Sequence, residues 1–307
     1  MRGNNIPQEQ LTQKQLDRLA AQRQLYSDAK QLLAIQVVLA VPCVITWSVL
    51  AACIPALKIY AASWGIIVTL LDILLFLPWQ KSLRQQAAKV QELFDCHVLQ
   101  IPWRELKAGS KPDAEAIMAS SSKFKCTDPE CSTLRDWYPV QVSILPIHLA
   151  RIACQRANCW WDAQLRRQYA VFVVSTVVLL TIVVLFIGLI GGLTLEDFFL
   201  IVLAPLIPAF VLGLRQYTEH VEAAGARDRL KEYAEKLWRR AIEEKISPEQ
   251  LVKDCRDLQD EIYDHRRRSP FIFNWIYNRL KKSYEDRMNK GADTLIEEAL
   301  TSISKTS

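Results

Sequence analysis

Apolar residues are concentrated in four long stretches of this 307-residue chain, and charged residues are concentrated between them. The first stretch holds 27 residues without a charge, and the second holds 22 with a single charge, Asp72. The third holds 28 uncharged residues and the fourth holds 17. Crossing a hydrocarbon core of roughly 30 Å takes a helix of about 20 residues. The pattern predicts four transmembrane helices, paired as two hairpins, at about 32–55, 60–79, 170–192 and 198–214.

The same pattern divides a mainly α-helical integral membrane protein into five sections. Residues 1–31 are predicted to form an N-terminal amphipathic helix, which either packs on the soluble part or lies in the membrane interface. Residues 32–79 form the first predicted hairpin, and 170–214 form the second. Between them, 80–169 is long enough to be a small middle domain, and 215–307 is predicted to be a helical tail.

Lysine and arginine determine the predicted orientation. The N-terminal section carries five of them, the middle section thirteen and the tail nineteen, whereas Lys58 is the single one in the two short connections. Because positively charged segments stay on the cytoplasmic side, both termini and the middle domain are predicted to be cytoplasmic. The N-terminal section lacks the features of a cleaved signal peptide, so we expect the first span to be retained. The net charge of +5 suits an anionic membrane surface and does not by itself indicate DNA or RNA binding.

Several residues within the predicted spans depart from a plain apolar helix. Pro42 is expected to kink or break the first span, and Pro205 and Pro208 are expected to kink the fourth. Asp72 is costly in hydrocarbon, so it is predicted to line a pore, contact another helix or reach water near the end of its span. With the glycine-rich end of the third span, the candidate membrane or pore residues are Asp72, Gly188, Pro205 and Pro208.

The polar sections carry their own local signals. HVLQIPW at 97–103 is predicted to be extended. In the tail, Ser247 and Pro248 predict the start of the second of three helices, and Ser269 with Pro270 predicts the start of the third. The basic, aromatic segment 266–282 either lies on an anionic membrane surface or packs against the other tail helices.

Arginines and aromatic residues gather in the middle domain. Guanidinium groups bind phosphate oxygens and aromatic faces stack on bases, so these residues have the chemistry of a nucleotide site. The alternative is cationic flanking of a span with interfacial tryptophans, which accounts well for Arg166 and Arg167. The candidate ligand-binding residues are Trp103, Trp137, Tyr138, Arg151, Arg156, Trp160 and Trp161.

Cysteines raise the question of a zinc site. Cys126, Cys131, Cys154 and Cys159 could supply four thiolates. However, Cys154 and Cys159 lie five residues apart on a predicted helix, so they point about 140° apart. Buried or incidental cysteines are the alternative, and no metal site is predicted.

No known catalytic signature is present. The chain lacks a glycine-rich phosphate loop and the HExxH and GxSxG motifs. His97 follows Cys96, but neighbouring residues of an extended segment point to opposite faces. We therefore expect a protein without catalytic residues or a cofactor, and not an enzyme.

Several segments together resemble a known family. Following IPQEQ near the N-terminus come LAAQRQLYSDAK, FDCHVLQIPW, LRDWYPV and ILPIHLARIACQRANCWWDAQLRRQYA, in that order and before the last two spans. This order is similar to that of the bacterial four-transmembrane effectors associated with SMODS-type nucleotidyltransferases. The resemblance covers roughly 220 residues, and CQRANCWWDAQLRR is its most specific block.

The resemblance implies a role in CBASS, a bacterial antiphage system. There a nucleotidyltransferase makes a cyclic di- or oligonucleotide, and the effector compromises the inner membrane, causing cell death or growth arrest. It implies an inner-membrane location and a functional link to that enzyme, and four spans suggest a homo-oligomer. The resemblance assigns no ligand residue. The rival interpretations are a constitutive channel or transporter subunit and a membrane-anchored adaptor that recruits a partner through its tail.

Overall fold

The computed structural model describes residues 3–190, 194–243 and 246–306. Over those residues the chain is mainly α-helical, as predicted, and contains no strand. The first helices are α1 (Ile6–Glu9), α2 (Gln13–Ala40), α3 (Pro42–Cys53), α4 (Lys58–Leu71), α5 (Leu77–Val98), α6 (Glu105–Ala108) and α7 (Ala114–Lys125). The later ones are α8 (Ile147–Ile190), α9 (Leu195–Asp197), α10 (Ala204–Glu243), α11 (Pro248–Arg266) and α12 (Asn274–Thr306).

The chain forms two compact units. We call the first the core unit; it comprises the chain through Ser27, Leu83–Arg166 and everything from Ala223 onward. The second, here called the membrane unit, comprises Asp28–Ser82 and Arg167–Glu222 and contains the four apolar stretches. Each boundary between the units falls inside a helix, namely α2, α5, α8 or α10.

Three helical segments are long and apolar enough to cross a membrane. They are Gln13–Ala51, Ile59–Val98 and Ile147–Phe186. The predicted fourth span, 198–214, is not among them within the described residues, so four spans stay a prediction. Gly188 lies in α8 and Pro205 in α10, but the surroundings of their side chains fall outside the described part.

The membrane unit buries small and branched apolar residues and exposes many large apolar ones. Its interior contains Val44, Ala51, Ala61 and Ala209, and small side chains let membrane helices approach closely. Large apolar side chains cover the outer surface, as on Ile59, which is 75% exposed. A surface of this kind is stable in lipid and unfavourable in water. Together with the three apolar helices, it indicates a membrane protein.

Prolines in the apolar stretches lie either at a helix boundary or within a helix. At Pro42 the prediction of a break is confirmed, because α2 ends at Ala40 and α3 begins at Pro42. Pro78 and Pro208 instead lie within helices, α5 and α10. A proline ring clashes with the carbonyl four residues earlier. Before Pro78 that carbonyl lies in a wider π-helical turn, Asp72–Phe76, which gives the ring room.

The core unit is built around a large apolar cluster, with smaller ones beside it. Polar and apolar residues alternate with helical spacing in its elements, so each helix contributes one buried face. The predicted face of α11, formed by Leu251, Cys255, Leu258 and Ile262, is buried as expected. Other members of the cluster are Leu19 of α2, Phe94 of α5, Ile152 of α8, Leu237 of α10 and Ala299 of α12.

Two local predictions of the polar sections were wrong and one is confirmed. His97 and Val98 end α5, and a turn follows them, so 97–103 is not extended throughout. The last tail helix begins at Asn274 rather than at Ser269. The Ser247 cap is confirmed, since its side chain accepts a hydrogen bond from the Gln250 N–H.

A close helix contact at Gly213 predicts the cost of adding one methyl group. A Cβ at Gly213 of α10 would lie 2.5 Å from Cγ2 of Val177 in α8, a stiff β-branched side chain. Gly213→Ala should therefore destabilise the membrane unit by roughly 1–3 kcal/mol, as overpacking does. Thermal unfolding in detergent would measure this.

Gly225→Ala in the same helix is the matched control. A Cβ there meets only a terminal nitrogen of Arg229 at 3.9 Å. The higher helix propensity of alanine should make this variant up to about 1 kcal/mol more stable. Equal melting temperatures for the two variants would contradict the close contact at Gly213.

Candidate functional site

Arg151 holds the chain where it leaves α5. Its side chain is buried, and its Nε donates to the Leu99 carbonyl at 2.5 Å. A terminal nitrogen donates to the Gln100 carbonyl at 2.9 Å. Carbonyls at the end of a helix lack hydrogen-bond donors within the helix, and the Arg151 side chain provides those donors. Burial lowers the pKa of this guanidinium, which acts here as a structural support.

Trp137 and Tyr138 pack on the same stretch of α5. The Tyr138 ring stacks on Phe94 with 6.1 Å between centroids, and Trp137 meets Phe94 edge-on at 6.3 Å. The Tyr138 hydroxyl donates to Oδ1 of Asp95 at 2.8 Å. Tyr138 is fully buried, so both its ring and its hydroxyl are engaged inside the core unit.

Trp103 packs at another place in the core unit. Its indole N–H donates to the Gly109 carbonyl at 2.9 Å. The ring is partly buried against Ala88, Ala108 and Tyr263. Trp103 therefore closes the loop that contains α6 over the side of α5 and α11.

Trp160 and Trp161 face α12. Trp160 lies edge-on to Tyr284 at 6.2 Å, and Trp161 contacts Tyr284 at 5.8 Å and Tyr277 at 6.4 Å. The guanidinium of Arg23 lies 4.3 Å from the Tyr277 centroid. We call Trp160, Trp161, Tyr277 and Tyr284 the α8–α12 aromatic group.

Arg156 lies on the same face of α8 as Trp160, four residues away. Its Nε and one terminal nitrogen donate to Oε1 of Glu235 at 3.0 and 2.9 Å. Both partners keep contact with solvent, with side chains 22% and 33% exposed. On α12, a Cβ at Gly291 would lie 3.1 Å from a terminal nitrogen of Arg156. Arg156 and the α8–α12 aromatic group thus combine a cation with aromatic rings along α12.

The seven predicted ligand residues therefore divide by location. Arg151 holds the end of α5, Trp137 and Tyr138 pack on Phe94, and Trp103 packs over α5 and α11. The structure brings Arg156, Trp160 and Trp161 together along α12. The first four are engaged in packing, and the assignment of all seven to a ligand stays a prediction.

A buried network of charges joins α5 to α11. A terminal nitrogen of Arg256 donates to Glu92 at 2.7 Å and to Asp260 at 2.8 Å. Arg266 donates to Asp95 at 2.8 Å. Gln259 donates to Glu92 and Asp95 at 2.8 and 3.0 Å. We call Glu92, Asp95, Arg256, Gln259, Asp260 and Arg266 the α5–α11 network; every member is buried.

Burial and charge act against each other within this network. Burial raises the pKa of Glu92, and Arg256 only partly offsets it. For Arg266, burial is the largest single effect and favours the neutral form, but Asp95, Tyr26, Glu92 and Tyr138 together outweigh it and raise the pKa. Leaving any one of these charges without its partner is far more costly than leaving a surface charge alone.

Asp162 joins α8 to α10 at the edge of the core unit. Nε of Arg227 donates to it at 2.7 Å, and Nε of Arg166 lies 3.0 Å away. Arg166 is buried and also donates to the Pro270 carbonyl at 3.0 Å. Burial alone would raise the pKa of Asp162, but Arg166 and Arg227 lower it well below the usual carboxyl range. Arg166 is thus part of the packing and more than a cationic flank.

A second polar cluster lies among the apolar helices of the membrane unit. Asp72 accepts a hydrogen bond from Nε2 of Gln36 in α2 and pairs with Arg215 of α10 at 3.3 Å. Gln36 in turn accepts from Nε2 of Gln80 at 3.0 Å. The amides of Gln36 and Gln80 are buried. We call these four residues the Asp72 cluster; it shows the contact to other helices that was one predicted role of Asp72.

Comparison with known proteins agrees with this architecture. Residues 4–295 match the model of the SMODS-associating 4TM effector domain. The chain is a member of this family. It is also 25% identical over 211 residues to a probable CBASS effector molecule of Bacillus cereus (strain VD146), covering 66% of this chain and 67% of the relative. No solved structure matches.

The two polar networks of this SMODS-associating 4TM effector were not predicted from its sequence. Arg256 and Asp260 are four apart on α11, a spacing that signals a shared face. The α5 partners of Arg256 and Gln259 lie more than 160 residues earlier, and no local pattern indicates them. Polar Arg256 and Gln259 beside the apolar Cys255 and Leu258 were the one available signal of a buried polar face.

The cysteines of this 4TM effector are free thiols. Cys131, Cys154 and Cys159 are buried, whereas Cys126 is exposed. Over the described ranges, no three histidine, cysteine, aspartate or glutamate side chains lie close enough to hold a metal ion. Burial raises the pKa of Cys159 to about 11, so this thiol stays protonated at neutral pH.

Asp162→Asn should destabilise the core unit by about 3 kcal/mol, because it leaves Arg227 buried without its counter-charge. The measurement is chemical unfolding in detergent. In the unchanged protein, this stabilisation is complete above the ordinary carboxyl pKa of about 3.9. It is lost as the pH falls through the lowered pKa of folded Asp162.

Asp257→Asn is the matched control for this substitution. Asp257 pairs with Arg104 at 2.9 Å, but both side chains are well exposed, and Arg104 also bonds Asp260. Its loss should cost less than about 1 kcal/mol. A loss of equal size in the two variants would contradict the structural role of Asp162.

Proposed function

We propose that this protein is the membrane effector of a bacterial CBASS antiphage system. The core unit binds a cyclic di- or oligonucleotide made by a partner nucleotidyltransferase. Binding drives several copies to assemble and to disrupt the inner membrane, which kills the cell or stops its growth. In this proposal the core unit is cytoplasmic, and the protein is not an enzyme.

The family match over residues 4–295 is the observation that carries this proposal. The relative named as a probable CBASS effector adds independent support. The three apolar helices supply a membrane-active part, and the cationic sections of the chain favour a cytoplasmic core unit.

Among the predicted ligand residues, Arg156 is the best suited to exchange its partner. The Arg156–Glu235 pair is partly exposed, and such pairs contribute little net stability. A phosphate could therefore replace the carboxylate at small cost and accept the same two N–H groups. Arg151, in contrast, is buried against backbone carbonyls, and pulling it away would leave those carbonyls without a partner.

Aromatic rings beside Arg156 fit the other half of a nucleotide. Every base has a flat face that can stack on tryptophan or tyrosine. Trp160 and Trp161 are half-buried, so each still has an accessible edge or face. We propose that the cyclic nucleotide binds along α8 and α12, with phosphate at Arg156 and a base at the α8–α12 aromatic group.

A ligand changes a protein only if it binds two states with different affinity. In our proposal the bound state is the assembled one, because one chain offers too few spans to enclose a pore. Helices α2, α5, α8 and α10 belong to both units, so the backbone itself connects the ligand site to the membrane-spanning segments.

Dye leakage from vesicles tests the function directly. Purified protein in vesicles of phosphatidylethanolamine and phosphatidylglycerol should release dye when one member of a panel of cyclic di- and trinucleotides is added. Leakage that no nucleotide changes would support the constitutive-channel interpretation. An absence of any leakage would support the adaptor interpretation.

Arg156→Ala should weaken nucleotide binding roughly tenfold to a hundredfold, because it removes charge-assisted hydrogen bonds to phosphate. Calorimetric titration with the nucleotide that causes leakage measures the affinity. Arg239→Ala, an exposed arginine of α10, is the matched control and should bind as the unchanged protein does. Unchanged affinity in Arg156→Ala would place the ligand elsewhere.

A further inference from the structure

The Asp72 cluster connects α2, the segment that joins α4 to α5, and α10 through polar side chains that lie in or next to their apolar stretches. Asp72 lies in the π-helical turn between α4 and α5, Gln36 in α2 and Arg215 in α10. Gln80 of α5 extends the chain of hydrogen bonds by donating to Gln36 at 3.0 Å. The cluster therefore fixes the first predicted hairpin against the end of the last apolar stretch.

An unpaired charge at this position is costly. In hydrocarbon, ionisable side chains pair with one another or face water, because the lipid offers them no hydrogen bonds. The Asp72 and Arg215 side chains are 20% and 28% exposed, much as in the Arg156–Glu235 pair. The difference is location: Asp72 lies inside the second apolar stretch and Arg215 directly follows the fourth, so in our proposal their surroundings are largely lipid and each depends on the other for its counter-charge. Any movement that separates α10 from the first hairpin must first break this pair.

The backbone at Asp72 is also irregular. The turn Asp72–Phe76 is π-helical, and such turns are rare and concentrate at functional sites. A wider turn rotates the following helix relative to the preceding one, and here it presents Asp72 to Gln36 and Arg215. Irregular backbone and paired charge thus coincide at one place in the membrane unit.

We propose that Gln36, Asp72, Gln80 and Arg215 form a polar lock that keeps the membrane unit closed until a signal opens it. This proposal rests on the proposed membrane-disrupting function. It adds the group of residues that prevents membrane disruption in the resting state. In the open state the two charges separate and meet water that enters between the helices. The closed state is favoured at rest because separating the charges in hydrocarbon is costly.

The lock predicts leakage without any ligand when one charge is removed. Asp72→Asn and Arg215→Gln should each leak roughly tenfold faster than the unchanged protein, the effect of losing one interhelical polar contact on a two-state equilibrium. The charge-swapped double variant, Asp72→Arg with Arg215→Asp, should return toward the unchanged rate. The assay is ligand-free dye release from the vesicles described above.

Thr176→Val is the matched control, because it removes a polar group of α8 that bonds only its own helix, at the Phe172 carbonyl. Its leakage should equal that of the unchanged protein. Helix content and monodispersity in detergent identify variants that fold. If a charge variant fails to fold, Gln36→Leu takes its place, since it breaks the cluster but keeps the ion pair.

The outcomes separate the lock from the proposed function. The lock would be overturned if the single variants released dye no faster than the unchanged protein. It would also be overturned if the charge-swapped double variant released dye as fast as the single variants. Ligand-free leakage that the swap suppresses would support the lock even if no nucleotide opens the unchanged protein. Failure of every nucleotide to open the unchanged protein would count only against the proposed gating by a ligand.

Discussion

The core unit depends on pairing charges that folding removes from water. Arg256 and Arg266 of α11 enter a buried environment, and Glu92 and Asp95 of α5 neutralise them there. Burying these groups costs several kcal/mol each, so the gain from pairing is largely spent on desolvation. We infer that the α5–α11 network adds more to the uniqueness of the fold than to its stability. Only one register of α11 on α5 gives each arginine its carboxylate, and a shifted register leaves charges without partners.

The same constraint applies in the membrane unit, where Asp72 and Arg215 have fewer partners among the described residues. Arg256 has four acceptors in the core unit, from Glu92, Cys96, Pro102 and Asp260. In contrast, the pair of Asp72 and Arg215 is a single contact at 3.3 Å, supported by Gln36. To separate helices that many hydrogen bonds join, all of those bonds must break together. A single ion pair can break alone. In the proposed mechanism, the membrane unit is therefore the part that changes.

Local sequence signals predicted the helices well because they act over a few residues. Pro42 interrupted the first span and Ser247 capped α11 as expected, since each effect depends only on neighbouring backbone. The prediction for the segment 97–103 was wrong, because its turn is held by a distant residue. Arg151 donates a hydrogen bond to the carbonyl of Gln100, which lies 51 residues earlier in the chain. The candidate site shows the same limit. Sequence indicated which residues have side chains able to bind phosphate or stack on bases, but tertiary contacts decide which of them remain available.

Arginines that could all bind phosphate differ in how far solvent reaches them and their partners. In CQRANCWWDAQLRR, the most specific block of the family resemblance, Arg166 is buried and bonded to a backbone carbonyl and to Asp162. Arg156 lies ten residues earlier, and its carboxylate partner is one third exposed. A packing role and a ligand role can use the same residue types in a sequence. The physical difference is the cost of changing partners: it is high for Arg166, because carbonyl and carboxylate would both lose their donor, and low for Arg156, because solvent already reaches the pair. A ligand that arrives and leaves must use the second kind of arginine.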